Sequence, residues 1–379
     1  MCVGGEKSEE KLPIRPTRSR HKMPKRARSS SASDLPIALV NDPDVWSQRR
    51  DHDALQRGKY FSFYSTSTSA ITTNPTLMTL PVDDHAIVRG HAVFDTCSYT
   101  DGRIYRLQIH LDRLFQSAKA ARLRLPFGDD EQHNRETITK IVHKCCRVME
   151  ESTRRRSCDV RFWLTAGTGN LGVTPKGCTP GFYVLCFGGL PGLDSSAGIA
   201  EASVSCDVVP LKPPHLAELK SNNYMLNALT MMAAEDRGGT FGIGVDAQGF
   251  LTESCVLNVI VVGADKVVRT PPFEGILKGT TVRKCLELVE RHLLIKKGRG
   301  AKTGGQQLVQ AVSQEKITLS AARRAAELFL VAGDTHAFAV TSLDGHTIGS
   351  GRPGPVFCAL HELLMADAKE GTEDHEALM

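Results

Sequence analysis

Apolar residues recur along the chain with two different periods. In "GRIYRLQIHLDRLFQSAKAARLRLPF", residues 102–127, a short strand follows the Asp101-Gly102 turn, after which Leu111, Leu114, Phe115, Ala118 and Leu125 return near helical spacing. A second helix is expected over 131–150. The runs "CDVRFWLTAG" and "GFYVLCFGGL" read as buried strands, because they are β-branched or aromatic and bounded by Gly and Pro. These elements predict an N-terminal α/β domain over 57–188, followed by a linker-like "GGLPGLDSSAG".

The second half, 189–366, continues the alternation. "IAEASVSCDVVP" is strand-like, and "PHLAELKSNNYMLNALTMMAAEDRGG" leads through Lys220 into an amphipathic helix that stops at Gly238-Gly239. "FGIGVDAQGFLTESCVLNVIVVG" and "KVVRTPP" predict short strands joined by Gly-containing turns, and "ILKGTTVRKCLELVERHLL" a strand-to-helix transition. Residues 296–312 are polar enough to be a surface insertion, and 367–379 a C-terminal tail. The fold class is therefore mixed α/β (α+β), and a length of 379 residues agrees with two domains at roughly 150 residues each.

Composition narrows the function classes. Hydrophobic content of 41% and charged content of 23% are those of a globular protein with an ample core. No window reaches the roughly 18 consecutive apolar residues of a membrane helix, so no membrane partner is expected. The net charge of +5 sits in residues 1–34, where nine Lys/Arg face four Asp/Glu; the rest balances at 38 against 38, which argues against a nucleic-acid-binding surface. Residues 1–56 read as a basic, Ser/Arg-rich disordered or targeting tail and lead-in, with Glu6, Glu9 and Glu10 counting against a transit peptide. Eleven scattered cysteines with no CxxC pair argue for a reducing compartment and against a structural metal. The compartment expected is the cytosol, with plastid and mitochondrion behind it.

Two stretches offer candidate chemistry. "GTGNLG" at 167–172 fits a dinucleotide-binding G-x-G-x-x-G, but "VTPKGCTPG" follows where that site needs a helix, so a loop is expected instead. The region 220–283 is richer. Gly279-Thr280-Thr281 opens a helix whose free amides and dipole suit a phosphate. An acid such as Glu253 would keep a heterocyclic nitrogen protonated, and Lys220 could hold an aldehyde as a Schiff base. Taken singly, Lys220 is a solvated helix-entry lysine, Glu253 a strand carboxylate on a wet face, and the threonines a plain helix cap. Together, phosphate, aldehyde and ring nitrogen describe pyridoxal 5'-phosphate.

Six motifs, "RGHAVFDT", "HLDRLFQSAK", "LKSNNYMLNAL", "GFLTESCVLNV", "LKGTTVR" and "DGHTIGSGRPGP", occur in an order that resembles the fold-type IV pyridoxal-phosphate enzymes. That family includes branched-chain aminotransferases, D-amino-acid aminotransferases and aminodeoxychorismate lyases. The likeness covers roughly residues 75–355 and is strongest to the plant-type D-amino-acid transaminases. It implies a smaller N-terminal α/β domain, a larger barrel-like C-terminal α/β domain, and a homodimer. Residue by residue, it implies that Lys220 carries the cofactor and shuttles the substrate proton, that Glu253 pairs with the pyridine nitrogen, and that Arg113 clamps the phosphate with Gly279, Thr280 and Thr281. On a helical wheel Arg113 lies opposite the Leu111/Leu114/Phe115 face and reads as solvated; the motif overrides that reading.

Tyr224 and Asn258 are weaker candidates near the ring, and Phe94, Arg161 and Trp163 weak candidates for the substrate. Bacterial D-amino-acid aminotransferases have a tyrosine where Phe94 stands, and their Arg-x-His carboxylate trap is not visible. The resemblance therefore implies transamination between an amino acid, D-alanine-like or branched-chain, and a 2-oxo acid. The alternatives are an aminodeoxychorismate lyase, a non-catalytic family member and, through "GTGNLG", a nicotinamide-dependent dehydrogenase.

Overall fold

The Asp101-Gly102 turn closes a two-residue hairpin. Thr100 pairs with Arg103, and φ values of 49° and 79° put both turn residues in the left-handed region that a type I′ turn needs. A computed structural model describes this hairpin and residues 58–188, 197–295, 307–370 and 375–377. The 1–56 tail, most of the linker and residues 296–306 lie outside the described residues. Among the described residues, no helix is long and apolar enough to cross a membrane.

The strands are β1 (Tyr60–Ser65), β2 (Ala70–Thr72), β3 (Ala92–Thr100), β4 (Arg103–Tyr105), β5 (Ser157–Thr168), β6 (Thr179–Phe187), β7 (Ile199–Glu201), β8 (Ser203–Ser205), β9 (Ile243–Val245), β10 (Leu251–Ser254), β11 (Asn258–Val262), β12 (Val267–Thr270), β13 (Ala311–Gln314), β14 (Glu327–Ala332), β15 (His336–Leu343), β16 (His346–Thr347) and β17 (His375–Ala377). The helices are α1 (His85–Val88), α2 (Leu107–Ala120), α3 (Glu131–Thr153), α4 (Pro214–Ala217), α5 (Met225–Glu235), α6 (Thr280–Leu288), α7 (Leu319–Arg323) and α8 (Pro355–Glu370).

Among the described residues three sheets result: a seven-stranded sheet ordered β17-β4-β3-β5-β6-β1-β2, a three-stranded sheet β10-β9-β8, and a seven-stranded sheet β13-β12-β11-β14-β15-β16 with β7 paired to β15. In the first sheet every pairing is antiparallel, and β3, β5 and β6 form its centre.

Helix α2 shows how the apolar stripe packs. Leu107, Leu111, Leu114, Phe115 and Ala118 are buried in one core with Val142 and Met149 of α3 and Phe162 of β5. Burying each leucine or phenylalanine contributes roughly 1.5–3 kcal/mol, which outweighs the modest helix propensity of so short a segment. Leu125, placed in this stripe by spacing, lies beyond the helix end and packs against the core from the following turn. A second core joins β11 and β14 to α6 and α8 through Ile260, Val282, Phe329 and Leu360.

Two expected boundaries are corrected. The 296–312 insertion ends earlier, because Val309 is buried and bonds to the Leu293 carbonyl at 3.0 Å, and β13 then pairs in parallel with β12. The apolar "LVQAV" gains more from covering that sheet edge than from water. The 367–379 tail begins later: α8 runs to Glu370, with Asp367 ion-paired to Lys284 at 3.0 Å, and β17 completes the open edge of β4. The "GTGNLG" loop joins β5 to β6 with no helix behind it, so the dinucleotide reading lacks its anion site.

Candidate active site

Lys220 does not enter a helix directly. Its segment lies along the edge of β3 that β4 leaves open: the Phe94 amide donates to the Lys220 carbonyl at 2.8 Å, and the Asn222 amide to the Ala92 carbonyl at 3.2 Å. The Lys220 amide reaches Ser117 Oγ on α2 at 3.3 Å. Helix α5 starts only at Met225, with Tyr224 at its N-cap. The lysine is thus anchored by backbone pairing to the first sheet, which leaves its side chain free for chemistry.

Alternation along β3 then sorts the neighbours. Phe94 faces Trp163 of β5 across the sheet, and Thr96 faces Arg161. The Lys220 Nζ lies 4.8 Å from the centre of the Phe94 ring, the Arg161 guanidinium 5.2 Å from it, and the Tyr224 ring 5.4 Å from it. Burial, together with the nearby Arg113 and Arg161 cations and against the pull of Asp95 and Glu253, brings the Lys220 amine down to about 8. A substantial neutral fraction near neutral pH makes it a nucleophile. Burial likewise pushes Tyr224 up to about 12.

Asp95, one residue on, turns the other way and is fully buried. It accepts from Arg113 Nε and Nη2, both at 2.7 Å, and His110 Nδ1 stands 2.9 Å from its Oδ1. Burial opposes the charge on Arg113, but Asp95 holds its pKa above the ordinary value. The Arg113 side chain is 12% exposed, so the wheel reading as solvated is corrected: β3 covers the helix face that an isolated wheel leaves to water.

On the far side, Glu253 projects from β10. Its Oε2 accepts from the Leu277 amide at 3.0 Å, while burial, opposed by that bond and by Lys212 and Lys220, raises its carboxyl to about 7. Asn258 stands next to this loop. Its Nδ2 donates to the Leu277 carbonyl at 2.9 Å and so fixes the loop that holds Glu253. Gly279 is required beside it, since a Cβ there would stand 1.9 Å from Asn258 Oδ1.

Gly279 caps α6 without any side-chain hydrogen bond, which leaves the first amides of that helix open to an anion. Thr281 Oγ1 accepts from the Asp334 amide at 3.0 Å, so its own hydroxyl proton remains for a second partner. Arg106 Nη1 donates to the Thr280 carbonyl at 3.1 Å.

Sequence reading missed Asp95, His110, Asp334 and Arg106. The first two stand inside the quoted motifs, and a signal existed: each is a polar residue on an otherwise buried strand or helix face, where an unpartnered charge is untenable.

This layout puts an amine within electrostatic reach of a cationic cradle and of a carboxyl that holds its proton to neutral pH. The chemistry of these donors fits a phosphorylated heterocyclic aldehyde. Residues 92–343 match the family Amino-transferase class IV. The chain belongs to the class IV aminotransferases.

Known proteins agree with that assignment. The chain is 34% identical over 321 residues to D-amino-acid transaminase, chloroplastic, of Arabidopsis thaliana, covering 84% of this chain and 79% of that one. It is 24% identical over 281 residues to D-alanine aminotransferase of Bacillus licheniformis, covering 73% and 87%. The fold matches the branched-chain amino acid aminotransferase of Escherichia coli with a TM-score of 0.68 at 20% identity, over 85% of this chain and all of that one. A second solved branched-chain amino acid aminotransferase, from a T.th. strain and with pyridoxamine 5'-phosphate, gives 0.66 at 22% identity, over 85% and 99%. This class IV aminotransferase is a transaminase, and the cofactor fit of its site is consistent with the family; the lyase alternative is not favoured by these aminotransferase relatives.

Proposed function

We propose that this aminotransferase uses pyridoxal 5'-phosphate to move an amino group between a D-amino acid such as D-alanine and a 2-oxo acid, with branched-chain L-amino acids as the competing substrate class. The observation that carries it is the placement of Lys220, tied by its carbonyl to the Phe94 amide with its Nζ 4.8 Å from the Phe94 ring centre, where burial and the Arg113 and Arg161 cations lower its pKa. The likeness to the Arabidopsis thaliana D-amino-acid transaminase supports the substrate choice.

The bound cofactor would supply an aldehyde and an electron-accepting ring. Lys220 Nζ would hold the cofactor through its aldehyde carbon, and its neutral amine is the base placed for the substrate Cα proton. Ionised against the ring nitrogen, the Glu253 carboxylate would favour the protonated form of that nitrogen. Arg113, the Thr280 amide and the Thr281 hydroxyl would hold the phosphate. Phe94 and Tyr224 wall the site against water, with Trp163 next to Phe94 on the neighbouring strand. Arg161 donates from Nε to Thr96 Oγ1, has no carboxylate ion pair among the described residues, and would be the cation for the substrate carboxylate.

We further propose a homodimer, a domain division at 188/189, and a cytosolic enzyme. The chloroplastic Arabidopsis thaliana relative makes the plastid the competing compartment. A reporter fused behind residues 1–56 decides between the two.

The test is an absorbance spectrum of the full chain with pyridoxal 5'-phosphate, before and after D-alanine, L-leucine or aminodeoxychorismate. Conversion to the pyridoxamine form by D-alanine upholds the proposal. Conversion by L-leucine alone reassigns the substrate, pyruvate release from aminodeoxychorismate reinstates the lyase, and a chain that binds no cofactor overturns the reading.

A further inference from the structure

Next to Arg113, a fully buried imidazole joins two carboxylates that come from different parts of the chain. His110 Nδ1 is 2.9 Å from Asp95 Oδ1 and its Nε2 2.8 Å from Asp334 Oδ1. Asp334 sits in the β14–β15 turn, where its Oδ2 accepts from the Ser98 amide at 3.0 Å and its own amide donates to Thr281 Oγ1 at 3.0 Å. Asp95 accepts from Nε and Nη2 of Arg113. A continuous chain of hydrogen bonds therefore runs Arg113, Asp95, His110, Asp334, Thr281, from α2 on the first sheet to the first turn of α6.

We propose that His110 is a positioning residue for the cofactor's phosphate: by donating from both ring nitrogens, to Asp95 and to Asp334, it locks Arg113 and the first turn of α6 into one anion cradle. This rests on the cofactor reading above. Ionised carboxylates only accept, and a neutral imidazole donates from one nitrogen, so the two contacts are satisfied together only by the doubly protonated ring. The charged groups facing the ring are Asp95 from β3, Asp334 from the turn and Arg113 on its own helix. Arg113 Nη2, 3.4 Å from Nδ1, shares Asp95 Oδ1 with the ring as a second donor. Burial would lower the imidazole pKa, but Asp334 and Asp95 raise it to about 9. Two positive and two negative charges then cancel; loss of the His110 proton leaves an uncompensated negative charge beside a phosphate dianion.

The experiment compares the affinities of the full-length chain, dialysed free of cofactor, for pyridoxal 5'-phosphate and for pyridoxal, which lacks the phosphate. His110→Gln is expected to weaken pyridoxal 5'-phosphate binding at least about tenfold, the size of a lost hydrogen bond to a charged group, with pyridoxal affinity unchanged. In the wild-type chain the preference for the phosphorylated form is expected to fall as pH rises through about 9. Equal preference in variant and wild type, or a preference flat through that pH, overturns the proposal. If His110→Gln fails to fold, Asp334→Asn, which keeps the shape and removes one charge, carries the same expectation, and an unaltered preference overturns it likewise. A wild-type chain that takes up neither compound defeats the cofactor reading instead. The ¹⁵N shifts of His110 then judge the network alone: two protonated nitrogens at neutral pH uphold it and a neutral ring overturns it.

Discussion

Phe94 and Lys220 are joined twice: the Phe94 amide donates to the Lys220 carbonyl at 2.8 Å, and the Lys220 Nζ stands 4.8 Å from the centre of the Phe94 ring. The first contact fixes the backbone without using the side chain. The second holds the amine over an aromatic face, in a site whose burial and neighbouring cations favour its neutral form.

Lys220→Ala should therefore leave the fold intact, because β3 still pairs with the segment, while turnover falls by about a thousandfold or more. Thermal unfolding checks the first expectation and a transamination assay the second. In the wild-type chain the rate of borohydride trapping of pyridoxal 5'-phosphate at Lys220 should rise with pH and level off above about 8, where the amine is neutral. A variant that retains full turnover removes Lys220 from the chemistry.

Glu253 acts at the opposite end. With its carboxyl raised to about 7, its ionisation is disfavoured without a partner, and a protonated heterocyclic nitrogen supplies that partner. Glu253→Ala should keep the cofactor bound through the phosphate contacts and slow proton removal, lowering kcat by about a hundredfold or more, within the usual span of a lost electrostatic or proton-transfer contribution. The kinetic isotope effect with α-deuterated substrate should grow in parallel. Unchanged turnover with an unchanged isotope effect would take Glu253 out of the ring-nitrogen role.

Much of this was legible in the sequence, and the limits have physical causes. The Asp101-Gly102 hairpin, α2, α3 and the strands around Phe162 and Val184 follow from local periodicity and turn chemistry. Lys220, Glu253 and Arg113 come from motif likeness, which local spacing alone leaves open. What periodicity could not supply is the partner of each polar residue. Arg113 looked solvated because Asp95 belongs to another element, and His110 passed unnoticed because its second carboxylate, Asp334, lies 224 residues away. Likewise β13 and β17 are defined by the sheet edges they cover rather than by their own composition.

The loop behind Glu253 offers a test of local packing. A methyl group at position 279 would stand 1.9 Å from Asn258 Oδ1, so Gly279→Ala must turn that side chain and break its bond to the Leu277 carbonyl. A loss of roughly 1–3 kcal/mol is expected, the usual size of overpacking or of a buried polar group left unmet. The denaturation midpoint reads it. Asn258→Ala removes the obstacle, so the double variant should be about as stable as Asn258→Ala alone. Simple additivity of the two losses would show that the clash is relieved elsewhere.

Arg161 separates substrate binding from packing. Its Nε donates to Thr96 Oγ1 at 2.9 Å and its guanidinium lies between the Phe94 and Phe187 rings, 5.2 and 5.4 Å from their centres. Burial depresses its pKa, and among the described residues no carboxylate ion-pairs with it. A half-buried cation with Asp159 and Asp95 acting on it only at a distance gains from an anion in contact, and a substrate carboxylate is such an anion. Arg161→Gln should raise KM for the amino acid about 10- to 100-fold, the value of a charged hydrogen bond, while pyridoxal 5'-phosphate affinity stays unchanged. Arg161→Lys should recover only part, because a point charge lacks the planar fork. If KM holds while the melting temperature drops, Arg161 is a packing residue of β5 and the substrate carboxylate is bound elsewhere in the site.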